Sequence, residues 1–103
     1  MRIARIVGTL TCNQLHPSLQ GGTFKLAVPL TLVDLMADAD GGAEELVVYD
    51  EMGVGLGQQI MLSEGGEAAQ PFYPELKPVD AYNAGIIDRL HVDAQAARQI
   101  ELS

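Results

Sequence analysis

Three glycines at alternate positions, Gly53, Gly55 and Gly57, separate two β-like stretches in VVYDEMGVGLGQQIML, residues 47–62. A phosphate-binding glycine loop opens a helix whose N-terminal amides hold the phosphate, and the dinucleotide fingerprint has the spacing G-x-G-x-x-G. Here the spacing is G-x-G-x-G, no lysine follows, and QQIML continues as a strand pattern. The stretch therefore predicts a strand–loop–strand corner, in which the glycines allow a positive φ or close backbone packing.

Short strands divide the remaining sequence. In TFKLAVPLTL, residues 23–32, large apolar residues alternate with small or polar ones, which indicates a half-buried strand. Pro29 cannot donate a ladder hydrogen bond, so this strand lies at an edge or is interrupted there. Four further strands are predicted at residues 2–12, 45–50, 58–64 and 84–92. Five short strands between turn-rich segments predict a small barrel or sandwich.

Apolar residues occupy both faces of the strand predicted at residues 2–12. One face carries Ala4, Ile6, Leu10 and Cys12, and the other carries Ile3 and Val7. In a short barrel one face of each strand points inward, so apolar residues on the second face indicate burial against a neighbour.

Helical signals are fewer. Residues 30–39, LTLVDLMADA, are compatible with one helical turn at their end. Residues 93–102, DAQAARQIEL, form the best helix candidate, with Asp93 as a possible N-cap. The chain is therefore interpreted as a barrel domain of residues 1–92 followed by a tail of residues 93–103 that is a helix or an arm.

Composition narrows the possible partners. The chain of 103 residues has a size typical of one domain, and its 14 acidic and six basic residues give a formal charge of −8. Nucleic-acid affinity depends on Lys and Arg that neutralise phosphates, so this balance argues against a nucleic-acid partner. No apolar run is long enough to span a membrane, and residues 1–10 alternate like a strand rather than a signal peptide. The single cysteine fits a reducing cytoplasm.

No catalytic or metal site is evident. DADGGAEE, residues 38–45, resembles a calcium loop, but its glycines stand where ligands are needed, so a solvated turn is the expectation. Cys12 and His16 supply two zinc ligands of the four that a tetrahedral site needs. No serine stands in a nucleophile elbow. We therefore expect no enzymatic activity, no cofactor and no metal.

Three segments together resemble the bacterial microcompartment vertex proteins, the pentamer-forming shell family of carboxysomes and ethanolamine-utilisation compartments. They are MRIARIVGTLT at the start, VVYDEMGVGLGQQIML in the middle and KPVDAYNAGIIDRLHV near the end. The resemblance covers residues 1–92 in order. It implies a five-stranded β-barrel similar to the oligonucleotide-binding fold, which assembles as a cyclic pentamer and closes the corners of a shell built from hexagonal tiles. The implied partners are further copies of this chain and hexagonal shell proteins, within the bacterial cytoplasm.

The chain departs from the family pattern at several loops. Gln58 stands where an acidic residue is common after the last glycine, and VDLMADADGGAEE lengthens the second hairpin. PFYPEL is an insertion-like extension, in which Phe72 and Tyr73 could anchor a neighbouring chain or cover the end of the barrel. These differences put loop contacts and pore lining in doubt, and they leave the fold unaffected.

The resemblance also suggests which residues form subunit contacts or line a pore. The candidates are Gly53, Gly55, Gly57, Ser63, Glu64, Gly65, Gly66, Glu67, Pro78, Val79 and Asp80. The glycines would let loops pack closely, and Asp80 could cap a short helical turn before the last strand. The alternative function is a small barrel that binds single-stranded nucleic acid or a small anion.

Overall fold

A computed structural model describes residues 1–65 and 79–102. The elements in chain order are β1 (Arg2–Leu10), a 3-10 turn (Pro17–Leu19), β2 (Thr23–Pro29), α1 (Leu32–Ala37), β3 (Leu46–Asp50), β4 (Gln59–Glu64), β5 (Ala81–Ile86) and α2 (Ala94–Leu102). Strands therefore dominate, with two short helices outside them.

The five strands close into a barrel in the order β1-β2-β3-β5-β4, because β4 also pairs with β1. All pairings are antiparallel except that of β3 with β5, which is parallel around Tyr49 and Tyr82. The predicted five-stranded barrel is confirmed. None of these five strands is an edge, so of the two explanations for Pro29 the interruption is correct: β2 ends at that residue, opposite Ala4.

Small and branched apolar side chains fill the barrel. The buried cluster consists of Ala4, Ile6, Ala27, Val48, Val54, Ile60, Leu62 and Ala81. A barrel of five strands is narrow, so small side chains such as alanine fit in its interior. Burial of each larger member contributes about 1.5–3 kcal/mol before entropy costs.

The large apolar residues of β2 lie outside this core. Ala27 is fully buried in the barrel, whereas Phe24, Leu26 and Val28 are only partly buried on the outer face. The strand that the alternation predicts is confirmed, but it is the face of β2 with small residues that points into the barrel. The apolar outer face is available for a second layer of packing.

Tyr49 shows how part of that outer face is covered. Its side chain is 1% exposed, and its ring meets Phe24 edge-on with the centroids 5.6 Å apart. A Cβ atom at Gly22 would overlap the Tyr49 ring. Gly22 is therefore required by close packing, since only glycine leaves room for the tyrosine.

A shift in register alters the outer end of β1. The pairing with β2 slips between Ile6 and Gly8, after which Leu10 lies opposite Phe24. Ala4 and Ile6 are buried, as predicted, but Leu10 is 40% exposed and Cys12 lies beyond the strand. The prediction that Leu10 and Cys12 share the face of Ala4 and Ile6 is wrong, because the bulge shifts the alternation of the chain after Ile6.

The fifth strand was placed too late in the sequence. It covers Ala81–Ile86 instead of residues 84–92. Its inward-facing side chains include the fully buried Asn83, so the strand has no clear apolar alternation to mark its start. Beyond Ile86 one further hydrogen bond, from the Ile87 N–H to the Gln59 carbonyl at 2.8 Å, continues the pairing with β4.

Both helices begin at side-chain caps. Thr31 and Asp34 form a capping box on α1, with hydrogen bonds of 3.2 and 2.9 Å, and Asp38 ends the helix with φ 51°. Asp93 accepts hydrogen bonds from the N–H groups of Gln95 and Ala96, both at 3.0 Å, so its predicted N-cap role is confirmed. The predicted helical turn and the C-terminal helix both form.

No helix in the described part of the chain is long and apolar enough to cross a membrane.

Candidate functional site

The loop between β3 and β4 has two glycines that its backbone geometry requires. Gly53 has φ 73° and Gly57 has φ 82°, values that residues with a Cβ rarely adopt. A Cβ at either position would meet no atom within 4 Å in this chain. Glycine is therefore needed there for its conformation, and the expected close backbone packing does not occur within one copy.

Gly55 is placed differently. Its N–H donates a 2.7 Å hydrogen bond to Oε1 of Gln58, and the Gln58 N–H donates to the Gly55 carbonyl at 3.3 Å. An added Cβ would lie 3.3 Å from the same Oε1. Gln58 thus closes the loop with a neutral amide, at the position where the sequence departs from the family pattern.

Asp50 organises the start of this loop from inside the barrel. Its side chain is 1% exposed and accepts hydrogen bonds from the N–H groups of Met52 and Val54, at 3.0 and 2.9 Å. The side-chain amide of Asn83 donates a third hydrogen bond, at 2.9 Å. Thr23 Oγ1 donates to the Asp50 backbone carbonyl at 3.2 Å. The donors of Met52, Val54 and Asn83 hold the carboxylate and fix the direction in which the chain leaves β3.

Burial by itself raises the pKa of Asp50, because it penalises the charged form. The hydrogen bonds from Asn83 and from the backbone N–H groups of Met52, Val54 and Gly53 act in the opposite direction, and together they hold the pKa below its usual value. Asp50 is therefore a structural anion at neutral pH.

The end of the loop is tied to β1. The Ile6 N–H donates to the Gln58 carbonyl at 2.9 Å, and the Gly57 N–H donates to the Ile6 carbonyl at 2.8 Å. Val54 inserts into the core and is 1% exposed, whereas Leu56 is 65% exposed. Hydrogen bonds hold the loop at both ends and the buried Val54 holds its centre, so Leu56 occupies a defined place on the surface.

The candidates at the far end of β4 form a separate group. Glu64 receives two hydrogen bonds from Arg2, at 2.6 and 2.8 Å, and the Arg2 guanidinium holds the pKa of Glu64 below its usual value. Ser63 is buried. The Gly65 N–H donates to the Asp80 carbonyl at 2.7 Å, which joins the two sides of the β4–β5 connection.

Some of the predicted roles at this end are corrected. No helical turn follows Asp80, because β5 begins at the next residue, and the Asp80 carbonyl makes the 2.7 Å contact. Val79 lines a shallow cleft with Phe24 and Val47. Gly57 and Gly65 lie beyond opposite ends of β4, whose six residues alone span roughly 17 Å at the rise of a strand. Gly66, Glu67, Pro78, Phe72 and Tyr73 lie outside the described residues.

The described part of the chain holds no group of three or more His, Cys, Asp or Glu side chains that could bind a metal ion. His16 Nδ1 lies 2.7 Å from Ser18 Oγ and caps the 3-10 turn. Asp38 likewise ends α1. Of the residues considered as metal ligands, His16 and Asp38 therefore have structural roles.

The family model described as "Ethanolamine utilisation protein EutN/carboxysome" matches residues 1–88. The chain belongs to this EutN/CcmL family. It is 38% identical to the carboxysome shell vertex protein CcmL of Gloeobacter violaceus over 93 residues, which cover 90% of this chain and 88% of that protein. It is 30% identical to the microcompartment shell vertex protein EutN of Salmonella typhimurium over 90 residues, 87% of this chain and 86% of that protein.

Solved structures of the EutN/CcmL type have the same fold. The Gloeobacter violaceus CcmL structure superimposes with a TM-score of 0.74 at 33% identity, covering 90% of this chain and 91% of that one. The pentameric microcompartment shell protein GrpN of Rhodospirillum rubrum gives a TM-score of 0.73 at 25% identity, covering 90% of this chain and 100% of that one. The barrel described above is thus the barrel of shell vertex proteins.

Sequence reasoning did not single out Asp50 and Asn83, the buried pair at the base of the loop. A signal for Asp50 was present, since an acidic residue directly after a buried strand and before a glycine loop is suited to hold the turn amides. Asn83 has no comparable signal, because a lone asparagine in a strand gives no indication of its partner.

Proposed function

We propose that this chain is the vertex protein of a bacterial microcompartment shell, and that it works as a cyclic homopentamer with no catalytic activity of its own. The observation that supports this most strongly is the match to shell vertex proteins along the whole barrel, at 38% identity over 90% of the chain for the first of them. Flat layers of hexagonal tiles cannot close without units of five-fold symmetry, so a pentamer at each corner supplies the curvature. The partners are further copies of the chain and the hexagonal shell proteins.

The glycine loop and the β4–β5 connection have supporting roles in this proposal. Gly53 and Gly57 set the path of a loop that holds Leu56 on the surface, where it contacts a neighbouring subunit or lines the central opening. Ser63, Glu64, Gly65, Val79 and Asp80 form the second candidate contact region, together with Gly66, Glu67 and Pro78. The division into a barrel domain, residues 1–92, and a tail, residues 93–103, belongs to the same proposal.

The alternative, a barrel that binds nucleic acid or a small anion, is not favoured. Such barrels use basic grooves and exposed aromatic rings on which bases stack. Here Arg2 and Arg5 are engaged by Glu64 and Asp38, Tyr49 is buried, and the formal charge is −8.

Two measurements test the proposal. Native mass spectrometry of the purified chain should give a particle of five copies. Co-expression with a hexagonal shell protein should give closed particles in electron micrographs, and omission of this chain should leave tubes, sheets or particles with open corners. A monomer at micromolar concentration, or shells that close equally well without the chain, would contradict the proposal.

A further inference from the structure

Two apolar surfaces remain on the outer wall of the barrel. The first, which we call the β2–β3 surface, consists of Leu10, Phe24, Leu26 and Val47. These residues form two cross-strand rows, because Leu10 pairs with Phe24 and Leu26 pairs with Val47. Val47 is 43% exposed and Leu10 is 40% exposed. This surface joins part of the outward apolar face of β2 to its neighbours on β1 and β3.

The second surface is a groove at the start of β1. Its apolar lining is Met1, Ile3, Leu30, Leu35 and Met61, with Arg2 at its side, and its volume is about 370 Å³. Ile3 and Met61 lie opposite each other across the β1–β4 pair. Met1 is 73% exposed and Met61 is 41% exposed. We call this the N-terminal groove; its two methionines have flexible side chains that adapt to an incoming surface.

The barrel order places the two surfaces on different sides of the molecule. The first is centred on β2 and β3, and the second on β1 and β4. In the closed order, β3 and β4 are not neighbours, since β5 separates them on one side and β1 and β2 on the other. One copy therefore presents two different apolar surfaces that face in different directions.

A cyclic ring requires this arrangement. In a dimer with two-fold symmetry the same patch meets itself, whereas in a ring each subunit uses one surface toward one neighbour and a different surface toward the other. A single apolar patch would produce dimers, and two unlike patches separated around the barrel allow five subunits to close.

Charge also favours contact between unlike surfaces. Met1 and Arg2 line the N-terminal groove, and Arg5 follows Ile3 on the same face of β1; the acidic partners of the two arginines are Glu64 and Asp38. Arg5 retains capacity to donate, since its contact with Asp38 is 3.4 Å long and its Nε has no hydrogen-bond partner among the described residues.

The β2–β3 surface is bordered by acidic residues, in contrast to the basic groups of the N-terminal groove. Glu44 and Glu45 directly precede β3, and Asp80 lines the cleft beside Val47. Two copies of this surface facing each other would bring carboxylates together, whereas the groove offers basic groups. We infer that the β2–β3 surface of one copy packs into the N-terminal groove of the next copy around the ring.

This inference rests on the proposed function, and cross-linking between cysteines tests it separately. In a Cys12→Ser background, three proteins are compared: Val47→Cys, Met61→Cys and the double variant. After treatment with a short bismaleimide, the double variant should give a ladder of covalent species up to five copies. Each single variant should stay monomeric on a denaturing gel, and a mixture of the two co-expressed should stop at dimers.

A matched control uses Val33, which is 51% exposed on α1 and belongs to neither surface. The Val33→Cys, Met61→Cys double variant should give no ladder. Dimers from Val47→Cys alone would show a two-fold contact and overturn the inference. The absence of a ladder from Val47→Cys, Met61→Cys, in a protein that native mass spectrometry shows to be pentameric, would overturn it while leaving the proposed function intact.

Solution mass gives an independent test. Val47→Asp should dissociate the ring at concentrations where the unmodified chain is fully pentameric, with its far-ultraviolet circular dichroism unchanged because the side chain is partly solvated in one copy. Val33→Asp should leave the ring intact. If Val47→Asp folds and remains pentameric, the β2–β3 surface is not a subunit contact. If the unmodified chain is itself monomeric, the proposed function fails first.

Discussion

Asn83 donates a 2.9 Å hydrogen bond to Asp50, and both side chains are buried at the point where β3 runs parallel to β5. This contact joins the one parallel strand pair among the described strands to the base of the glycine loop. It follows that the loop conformation and the closure of the barrel depend on the same carboxylate.

Asp50→Asn should lower the free energy of unfolding by about 2–3 kcal/mol, because the charge-assisted hydrogen bonds are lost and an amide N–H₂ group faces other donors. Urea titration at pH 7 and a fixed protein concentration measures the change. Asp40→Asn is the matched control, since Asp40 is exposed in the α1–β3 connection, and its effect should be near zero. Equal stability of the two variants would contradict the role of Asp50.

The lowered pKa of Asp50 also predicts how stability depends on pH. A group whose pKa is lower in the folded state stabilises the protein at pH values above its unfolded-state pKa, and this contribution is lost as the pH falls toward the folded-state pKa. The unmodified chain should therefore lose stability more steeply than Asp50→Asn below about pH 4. Unfolding curves of both proteins between neutral and acidic pH measure this, and parallel curves would show that Asp50 is not responsible.

Gly22→Ala should destabilise the fold by about 1–3 kcal/mol, because the new methyl group overlaps the buried Tyr49 ring and the tyrosine has no free space to enter. Thermal unfolding followed by circular dichroism gives the shift. Gly42→Ala provides the comparison, since a Cβ there meets nothing within 4 Å. The expectation is wrong if both alanine variants melt together with the unmodified chain.

The three loop glycines should differ in their tolerance of alanine. At Gly53 and Gly57 the positive φ should cost about 1–2 kcal/mol each. At Gly55 the cost should be smaller, because its crowding comes from the end of the flexible Gln58 side chain. Urea titration of the three single variants ranks them. A larger loss at Gly55 than at the other two would mean that close packing, rather than backbone conformation, selects glycine in this loop.

Much of the fold could be predicted because the signals for its strands, turns and helices come from residues that are close together in the sequence. Alternation marked β2, glycine and proline marked the turns, and the acidic cap at Asp93 marked α2. The inner face of β2 could not be read in the same way. The alternation shows that two faces differ, but the narrow barrel decided that Ala27 points inward and Leu26 outward.

The candidate site was predicted less completely. The glycine loop was located, yet the reason for Gly53 and Gly57 is a backbone angle that no residue pattern reveals. Asn83 finds its partner only when β3 and β5 meet, across a connection that includes the segment outside the described residues. The same buried asparagine is the reason that the start of β5 was not predicted, since a polar residue in a strand ordinarily indicates a position that faces solvent.

Closure of the barrel has a consequence for the order of folding. β1 is synthesised first, but Arg2 pairs with Leu62 and Ala4 pairs with Ile60, so its pairing with β4 requires a strand that is synthesised much later. Contacts between residues so distant in the chain slow folding, because a long loop must be closed before they form. The β1–β2 hairpin can form early, whereas the N-terminal groove comes into existence only when β4 docks. A nascent chain therefore cannot offer both apolar surfaces at once, which delays ring formation until each barrel is complete.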